Sequence, residues 1–162
     1  MEPVFRRIMQ DEIAEGYQLI VERTDWLNQK GIQQWKRPIP DSIIRQRQAE
    51  GHFYGYWVGG VLMAVVCLLE KSILDWGDKL PVKLLCLATL ASRLSYAGYG
   101  HGSNCVMSAC EHARQMGYKK IYLDCVDNAK ALPDFYIKLG FRQIGEQVIP
   151  SGWRVILMSK DL

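Results

Sequence analysis

The chain has no long apolar run, no closely spaced cysteine pair and no excess of one charge. Each absence removes a class of function. The longest unbroken apolar stretch is Val61 to Leu69, whereas a membrane-crossing helix needs about 20 such residues; no membrane partner is expected. Met1 to Arg7 holds no apolar core of a secretory signal, so none is expected there. Against 20 Lys and Arg stand 17 Asp and Glu, a net charge of +3. That balance is too small and too scattered for a nucleic-acid surface. The cysteines (Cys67, Cys86, Cys105, Cys110 and Cys125) are odd in number and contain no CxxC. Neither a disulfide framework nor a zinc ribbon is indicated, and they read as small buried hydrophobes. His52, His101 and His112 show no ligand spacing, so no metal is expected. What remains is a cytoplasmic globular domain. Its 162 residues, 49% of them hydrophobic, read as one domain over 1–162.

Periodicity gives the element order. Val4 to Ile8 reads as a short strand, and Asp11 as the cap of a helix with an apolar face of Ile13, Tyr17, Ile20, Thr24 and Leu27. Gly31 would stop that helix, and Asp41 to Glu50 reads as a second, shorter one. Phe53 to Val58 and Val61 to Leu69 flank Gly59-Gly60, a two-residue hairpin signal. A buried strand follows at Val82 to Ala91, then a glycine cluster, then a helix with the stripe Val106, Ala109, Cys110, Ala113 and Met116 that ends at Gly117. Ile121 to Val126 is a strand. Leu132, Phe135, Tyr136 and Leu139 share one face of a short helix with Pro133 in its first turn and Gly140 after its end. Phe141 to Ile149 and Trp153 to Met158 close the chain around the turn Pro150-Ser151-Gly152. The order β-α-α-β-β-β-α-β-α-β-β predicts an α+β fold. Its sheet is mixed, mostly antiparallel, with about seven strands and about four flanking helices; strand-helix-strand around residues 82–126 suggests a parallel crossover.

The sharpest local feature is the run Gly98-Tyr99-Gly100-His101-Gly102 between a buried strand and a helix. Alternating glycines let several backbone N–H groups point into one concavity with no Cβ in the way. The first helical turn adds unpaired donors and the positive end of its dipole. Together they suit a phosphate or diphosphate, and Ser103 is placed to cap the helix or reach a phosphate oxygen. The run is neither a P-loop, since GxxxxGK[ST] is missing, nor a GxGxxG dinucleotide fingerprint, since position 103 is serine.

In two stretches the chain resembles the GNAT superfamily of acyl-CoA-dependent N-acyltransferases. Leu90-Ala91-Ser92 followed by Ala97-Gly98-Tyr99-Gly100-His101-Gly102 matches the family's strand and [RQ]-x-x-G-x-[GA] turn. Leu123-Asp124-Cys125-Val126-Asp127-Asn128 followed by Phe135-Tyr136-Ile137-Lys138-Leu139-Gly140-Phe141 matches its later strand, asparagine and Tyr-x-x-x-Gly-Phe helix. Gly31 to Trp35 and Trp76-Gly77-Asp78 also look like segments of many bacterial members. There are departures. Ala97 stands where Arg or Gln is common, Ser92 replaces the usual valine, and His101 an aliphatic residue. His101 itself reads as a helix-start residue near solvent.

The resemblance implies a GNAT-like N-acetyltransferase in which an amine attacks the thioester of acetyl-CoA directly. Leu90, Ala91 and Ser92 would hold the pantetheine arm as an added half-strand, and an amide near Leu90 or Ala91 would face the oxyanion. Gly98, Tyr99, Gly100, Gly102 and Ser103 would hold the diphosphate, Asn128 the cofactor arm, and Tyr136 would protonate the departing thiolate. Trp26, Trp35, Tyr54 and Trp76, with Trp153 in the same regions, are candidates to line the acceptor pocket. The strand Val82 to Ala91 offers no base; Glu70, Asp75 and Asp124 are candidates acting through water, none of them assigned. The implied partner is a small-molecule or protein amine, with a homodimer left open. The alternative is a sensor domain that binds acyl-CoA without turnover.

Overall fold

The computed structural model describes residues 2–32, 37–71, 84–127, 130–148, 152 and 154–162. Its elements are β1 (Val4–Arg7), α1 (Ile13–Gln29), α2 (Asp41–Ala49), β2 (Phe53–Val58), β3 (Val61–Lys71), β4 (Leu84–Ser92), α3 (His101–Gln115), β5 (Lys120–Val126), α4 (Ala131–Lys138), β6 (Arg142–Val148) and β7 (Arg154–Asp161). The expected element order is present. One seven-stranded sheet runs β1-β2-β3-β4-β5-β7-β6. Only the β4–β5 neighbours are parallel, joined through α3; the pairings on either side of them are antiparallel.

Each face of the sheet carries its own core. On one, α1 and α2 bury Leu19, Ile20 and Ile44 against Phe53, Leu62 and Val65. On the other, Val106, Ala109 and Ala113 of α3 pack on Ala64, Val66, Leu85, Leu87 and Leu123, and Tyr136 of α4 joins them. Strand alternation sends successive side chains to opposite faces, so β2, β3 and β4 serve both cores, while β5 joins the α3 side through Ile121, Leu123 and Cys125.

Local chemistry sets the ends of the elements, with some departures from the pattern. Asp11 does not cap α1. A 3-10 turn over Gln10–Glu12 precedes that helix, and the Glu12 carboxylate accepts the Met9 N–H at 2.8 Å while pairing with Arg6 at 2.8 and 2.9 Å. The two-bond ion pair with Arg6 makes Glu12 the better anchor, and Asp11 stays exposed. Thr24 does lie on the buried face of α1, where its hydroxyl donates to the Ile20 carbonyl at 2.7 Å. Met116 does not extend the α3 stripe: α3 stops at Gln115 and Met116 is exposed. Phe141 precedes β6 rather than opening it and is buried; β7 extends to Asp161. The ends expected at Val82, Ile149 and Trp153 lie outside the described residues.

Gly55 is where β2 most needs a missing side chain. An ideal Cβ there would stand 2.6 Å from the Trp57 ring and 2.8 Å from Ile8 Cδ1. Trp57 is itself buried, under the Arg6 guanidinium at 3.9 Å. Gly55→Ala is expected to lower stability by about 1–3 kcal/mol, the usual cost of overpacking. Chemical denaturation measures it, and an unchanged midpoint would show that the Trp57 ring yields freely.

Candidate active site

The site begins with one extra residue. Ala91 of β4 pairs with Val65 and Ala88 pairs with Cys67, so Thr89 and Leu90 together stand opposite Val66. This is a β-bulge. Thr89 at its centre has φ +56°, and no other non-glycine residue among those described has positive φ. For a β-branched residue the left-handed region costs about 1–2 kcal/mol, so something must hold it. Arg47 of α2 donates from Nη1 to Thr89 Oγ1 at 3.0 Å and reaches Cys67 Sγ at 3.7 Å.

Beyond Cys86 the two parallel strands part. Among the described residues Cys86↔Tyr122 is the only register pair that joins β4 to β5. Arg93 N–H donates to the Met63 carbonyl at 2.7 Å, and alternation then turns the main-chain groups of Ala91 toward β3 and those of Leu90 and Ser92 away from it. Leu90 therefore offers a strand-edge donor and acceptor to the gap and Ser92 its N–H, while the Ser92 carbonyl is taken by Arg23.

The gap opens into a cleft of about 270 Å³ lined by β4 from Cys86 to Leu90, by Ser92, and by Leu123, Asp124 and Cys125 of β5. Arg23, Trp26 and Leu27 of α1 form one wall and Leu132, Phe135 and Tyr136 of α4 another. Tyr136 is 9% exposed, edge-on to Phe135 at 5.0 Å and to Phe141 at 5.8 Å. Burial, reinforced by Cys125, pushes its phenol well above the usual value of 10, so the proton stays on oxygen at neutral pH. The Arg23 guanidinium lies 4.8 Å over the Trp26 ring and donates from Nη2 to Ser92 O at 2.9 Å and Ser92 Oγ at 2.6 Å.

At the outer end of the gap the glycine turn has the geometry the sequence requires of it. Gly98 has φ +88° and Gly100 φ +79°, and a Cβ at either would meet nothing within 4 Å. Gly100 is the N-cap of α3. The first helical bond runs from Asn104 N–H to Gly100 O at 3.0 Å, which leaves the N–H groups of His101, Gly102 and Ser103 without a helical acceptor. An open, Cβ-free rim with unpaired donors fits a diphosphate.

Of the expected site residues, Leu90, Ser92, Gly102, Trp26 and Tyr136 line the cleft. Gly98, Tyr99, Gly100 and Ser103 lie on the turn at its mouth, with Tyr99 73% exposed. Ser103 makes no cap, because the capping position falls on Gly100. Ala91 turns its main chain to β3 and buries its side chain under α1. Tyr54 does not reach the cleft. It packs in the core beside α3, stacked on Phe5 at 5.3 Å, with its hydroxyl 3.2 Å from His112 Nε2. Alternation along β2 sends it to the face opposite α1. His101 is not a solvent residue either: its Nδ1 is buried without a partner among the described residues, and its ring lies near Tyr56, Tyr96 and Tyr99. Trp35, Trp76, Asn128, Trp153 and Asp75 lie outside the described residues. Glu70 lies away from the cleft, its carboxylate 3.4 Å from the Tyr118 hydroxyl.

Pattern reading missed Arg23, Arg47 and Thr89. Arg23 lies three residues before Trp26 on the same helix face, a usable signal; nothing local marks the other two.

Residues 17–141 match the Acetyltransferase (GNAT) family. An uncharacterized N-acetyltransferase of Bacillus subtilis, YesJ, is 29% identical over 134 residues, 78% of this chain and 74% of its own. A solved GNAT-family acetyltransferase from Listeria monocytogenes superposes with a TM-score of 0.81 at 21% identity, covering 100% of this chain and 96% of that one. N-acetylglutamate synthase from Neisseria gonorrhoeae, solved with coenzyme A and N-acetyl-glutamate, matches with a TM-score of 0.72 at 15% identity over 100% of this chain and 35% of that one. The chain belongs to the GNAT family and is an acetyltransferase.

Two measurements check this geometry. Gly100→Ala meets no neighbour, so its cost is backbone strain alone, about 1–2 kcal/mol by denaturation; a neutral result would mean the turn relaxes out of positive φ. His112 has its pKa held below 6.5, first by burial and then by Arg7. The unfolded chain therefore binds the extra proton first, and stability falls as pH drops through about 6.5 toward the lower folded value. Denaturation midpoints between pH 5 and 8 should show this slope, and His112→Gln should flatten it.

Proposed function

We propose that the protein transfers the acetyl group of acetyl-CoA to a primary amine of a small molecule or a protein by direct attack, with Tyr136 as general acid. The observation that carries this reading is the gap beside the β4 bulge. It turns the main-chain groups of Leu90 and the Ser92 N–H away from β3, into the cleft that Tyr136 lines, while Arg23 holds the Ser92 carbonyl. Acetyl-CoA fits as substrate: the turn's donors suit its diphosphate, and the strand edge suits its amide-bearing arm.

In the reaction the acceptor nitrogen attacks the thioester carbonyl and the carbon–sulfur bond breaks. The Leu90 N–H is the candidate donor to the developing oxyanion, a contact worth roughly 3–4 kcal/mol where one has been removed; Ala91 is not, since its amide faces β3. Tyr136 gives its proton to the departing thiolate. Its raised pKa does not forbid this step, because the burial that disfavours phenolate disfavours the thiolate in the same way. The phenol is then reprotonated from solvent. A lysine-like amine of pKa about 10.4 is only about 0.04% neutral at pH 7, so a base is needed to raise the neutral fraction. Asp124, exposed on the cleft wall, is the candidate carboxylate among the described residues that lines this cleft and would act directly or through water.

Tyr136→Phe tests the assignment. Loss of a general acid should lower kcat by about 10²–10⁴ while the affinity for acetyl-CoA, read by calorimetry, stays within about twofold. Full turnover would remove the acid role. Acetyl-CoA binding without turnover of any amine in wild type would favour the sensor reading instead.

A further inference from the structure

The α1 wall of the cleft carries a cation that the transfer chemistry does not use. Arg23 is half-buried, and its first-turn neighbours on the wall are Trp26 and Leu27. Arg6, Arg45, Arg93, Arg114 and Arg154 each have a carboxylate within ion-pair distance. Among the described residues Arg23 has none; its acceptors are the neutral carbonyl and hydroxyl of Ser92, both taken by Nη2. Nε and Nη1 have no acceptor among the described residues. A guanidinium does not shed its charge in a protein, so a partly desolvated one held only by neutral groups is under-compensated. The field around it agrees, since burial alone lowers the Arg23 pKa with no acidic neighbour raising it.

On β5, across the gap, Asp124 lines the same cleft. It is exposed, and among the described residues it has neither a hydrogen bond nor an ion pair. Its strand neighbours Leu123 and Cys125 face the α3 core, so alternation turns Asp124 to the side of the sheet that α1 covers. One cleft thus presents a lone cation and a lone carboxylate on opposite walls, with the bulge between them.

We infer that the acceptor is an amino acid in the broad sense, an amine that also bears a carboxylate, bound with its carboxylate on Arg23 and its ammonium toward Asp124. The Arg23 guanidinium suits a carboxylate: Nε and Nη1 lack an acceptor among the described residues, and each can give a carboxylate oxygen one charge-assisted bond. The Trp26 face beneath the guanidinium fixes its plane. With the carboxylate anchored on α1, the ammonium lies over the gap beside Asp124, the group that would accept its proton. This inference rests on the acetyl transfer proposed above and adds the class of acceptor. An anion could also reach Arg23 from coenzyme A itself, because Ser92 lies 3.7 Å from the Cβ position of Gly102 on the diphosphate turn.

The test compares α-, β- and γ-amino acids with their carboxamides as acceptors, using wild type, Arg23→Gln and Arg23→Lys, and measures acetyl-CoA affinity for each protein by calorimetry. An amide's amine is less basic and more often neutral, which biases the chemistry against the expected preference. Wild type should favour at least one acid over its amide by about tenfold or more in kcat/KM. Arg23→Gln should bring that ratio near one through the KM of the acid, with the acetyl-CoA dissociation constant within about twofold, and Arg23→Lys should keep part of the ratio. Equal use of acid and amide by wild type overturns the inference while leaving acetyl transfer intact. Arg23→Gln that weakens acetyl-CoA binding and preserves the acid-to-amide ratio overturns it as well, assigning the cation to the phosphates. Absence of acetyl-CoA binding in wild type overturns both readings together.

Discussion

A single added residue in β4 governs the working part of this molecule. Before the bulge, Leu85 and Leu87 face the α3 core; after it, Ala91 faces α1. The parity of the strand is reversed, as one extra residue must do. Beyond the reversal β4 holds its partner β3 and no longer runs beside β5. A continuous ladder would satisfy every edge group and leave no room for a ligand. The bulge leaves a strand edge inside the sheet, in a place where ordinary edge-to-edge association is blocked by α1 and α4.

Such a gap needs stiff walls. The Phe53, Leu62 and Val65 core under α1 and the Val66, Leu87 and Val106 core under α3 hold the two faces, so the opening is set by packing on both sides rather than by the few residues that line it. Strain is held in the same way. Thr89 in the left-handed region is held by Arg47 of α2, which donates to its hydroxyl at 3.0 Å. The two arginines that touch β4 reach it from different helices, Arg47 at Thr89 and Arg23 at Ser92. They tie the α1–α2 layer to the two ends of the distorted segment, and a shift of either helix would be felt at the bulge.

Much of this was legible in the residues, and the division follows a physical line. Features fixed by local covalent freedom could be read: the Gly59-Gly60 hairpin, with φ +60° and +78°, and the Gly98 and Gly100 turn. So could the face that a residue takes on a helix, since Tyr136 and Trp26 both reach the cleft. What depends on partners distant in the chain could not. Thr89 looks like any strand threonine until the register with β3 and the reach of Arg47, 42 residues away, are known. Tyr54 escapes the pattern for the same reason: aromatic residues fill four of the six positions of β2 and mask its alternation, so only the position of α1 tells which rings face its side of the sheet. Asp124 carries an intermediate signal, a charged residue between the buried stretches Ile121 to Leu123 and Cys125-Val126 of β5.

The departure at Ala97 bears on how the two halves of the site divide their tasks. A side chain that pairs with phosphate is missing there, yet Ala97 is exposed and its N–H is already engaged with the Leu94 carbonyl at 3.0 Å. The free donors lie further on, in the main chain of residues 101–103, and no substitution other than proline removes a main-chain N–H. Binding that rests on backbone donors therefore tolerates drift in the side chains around it. The acceptor side proposed above has no such insurance: Arg23, Trp26 and Asp124 would act through side chains alone. Under the proposed reading the part of the cleft that meets the common substrate is written in backbone conformation. The part that meets the acceptor is written in residue identity, and changes of acceptor within this fold should concentrate on α1 and the outward-facing positions of β5.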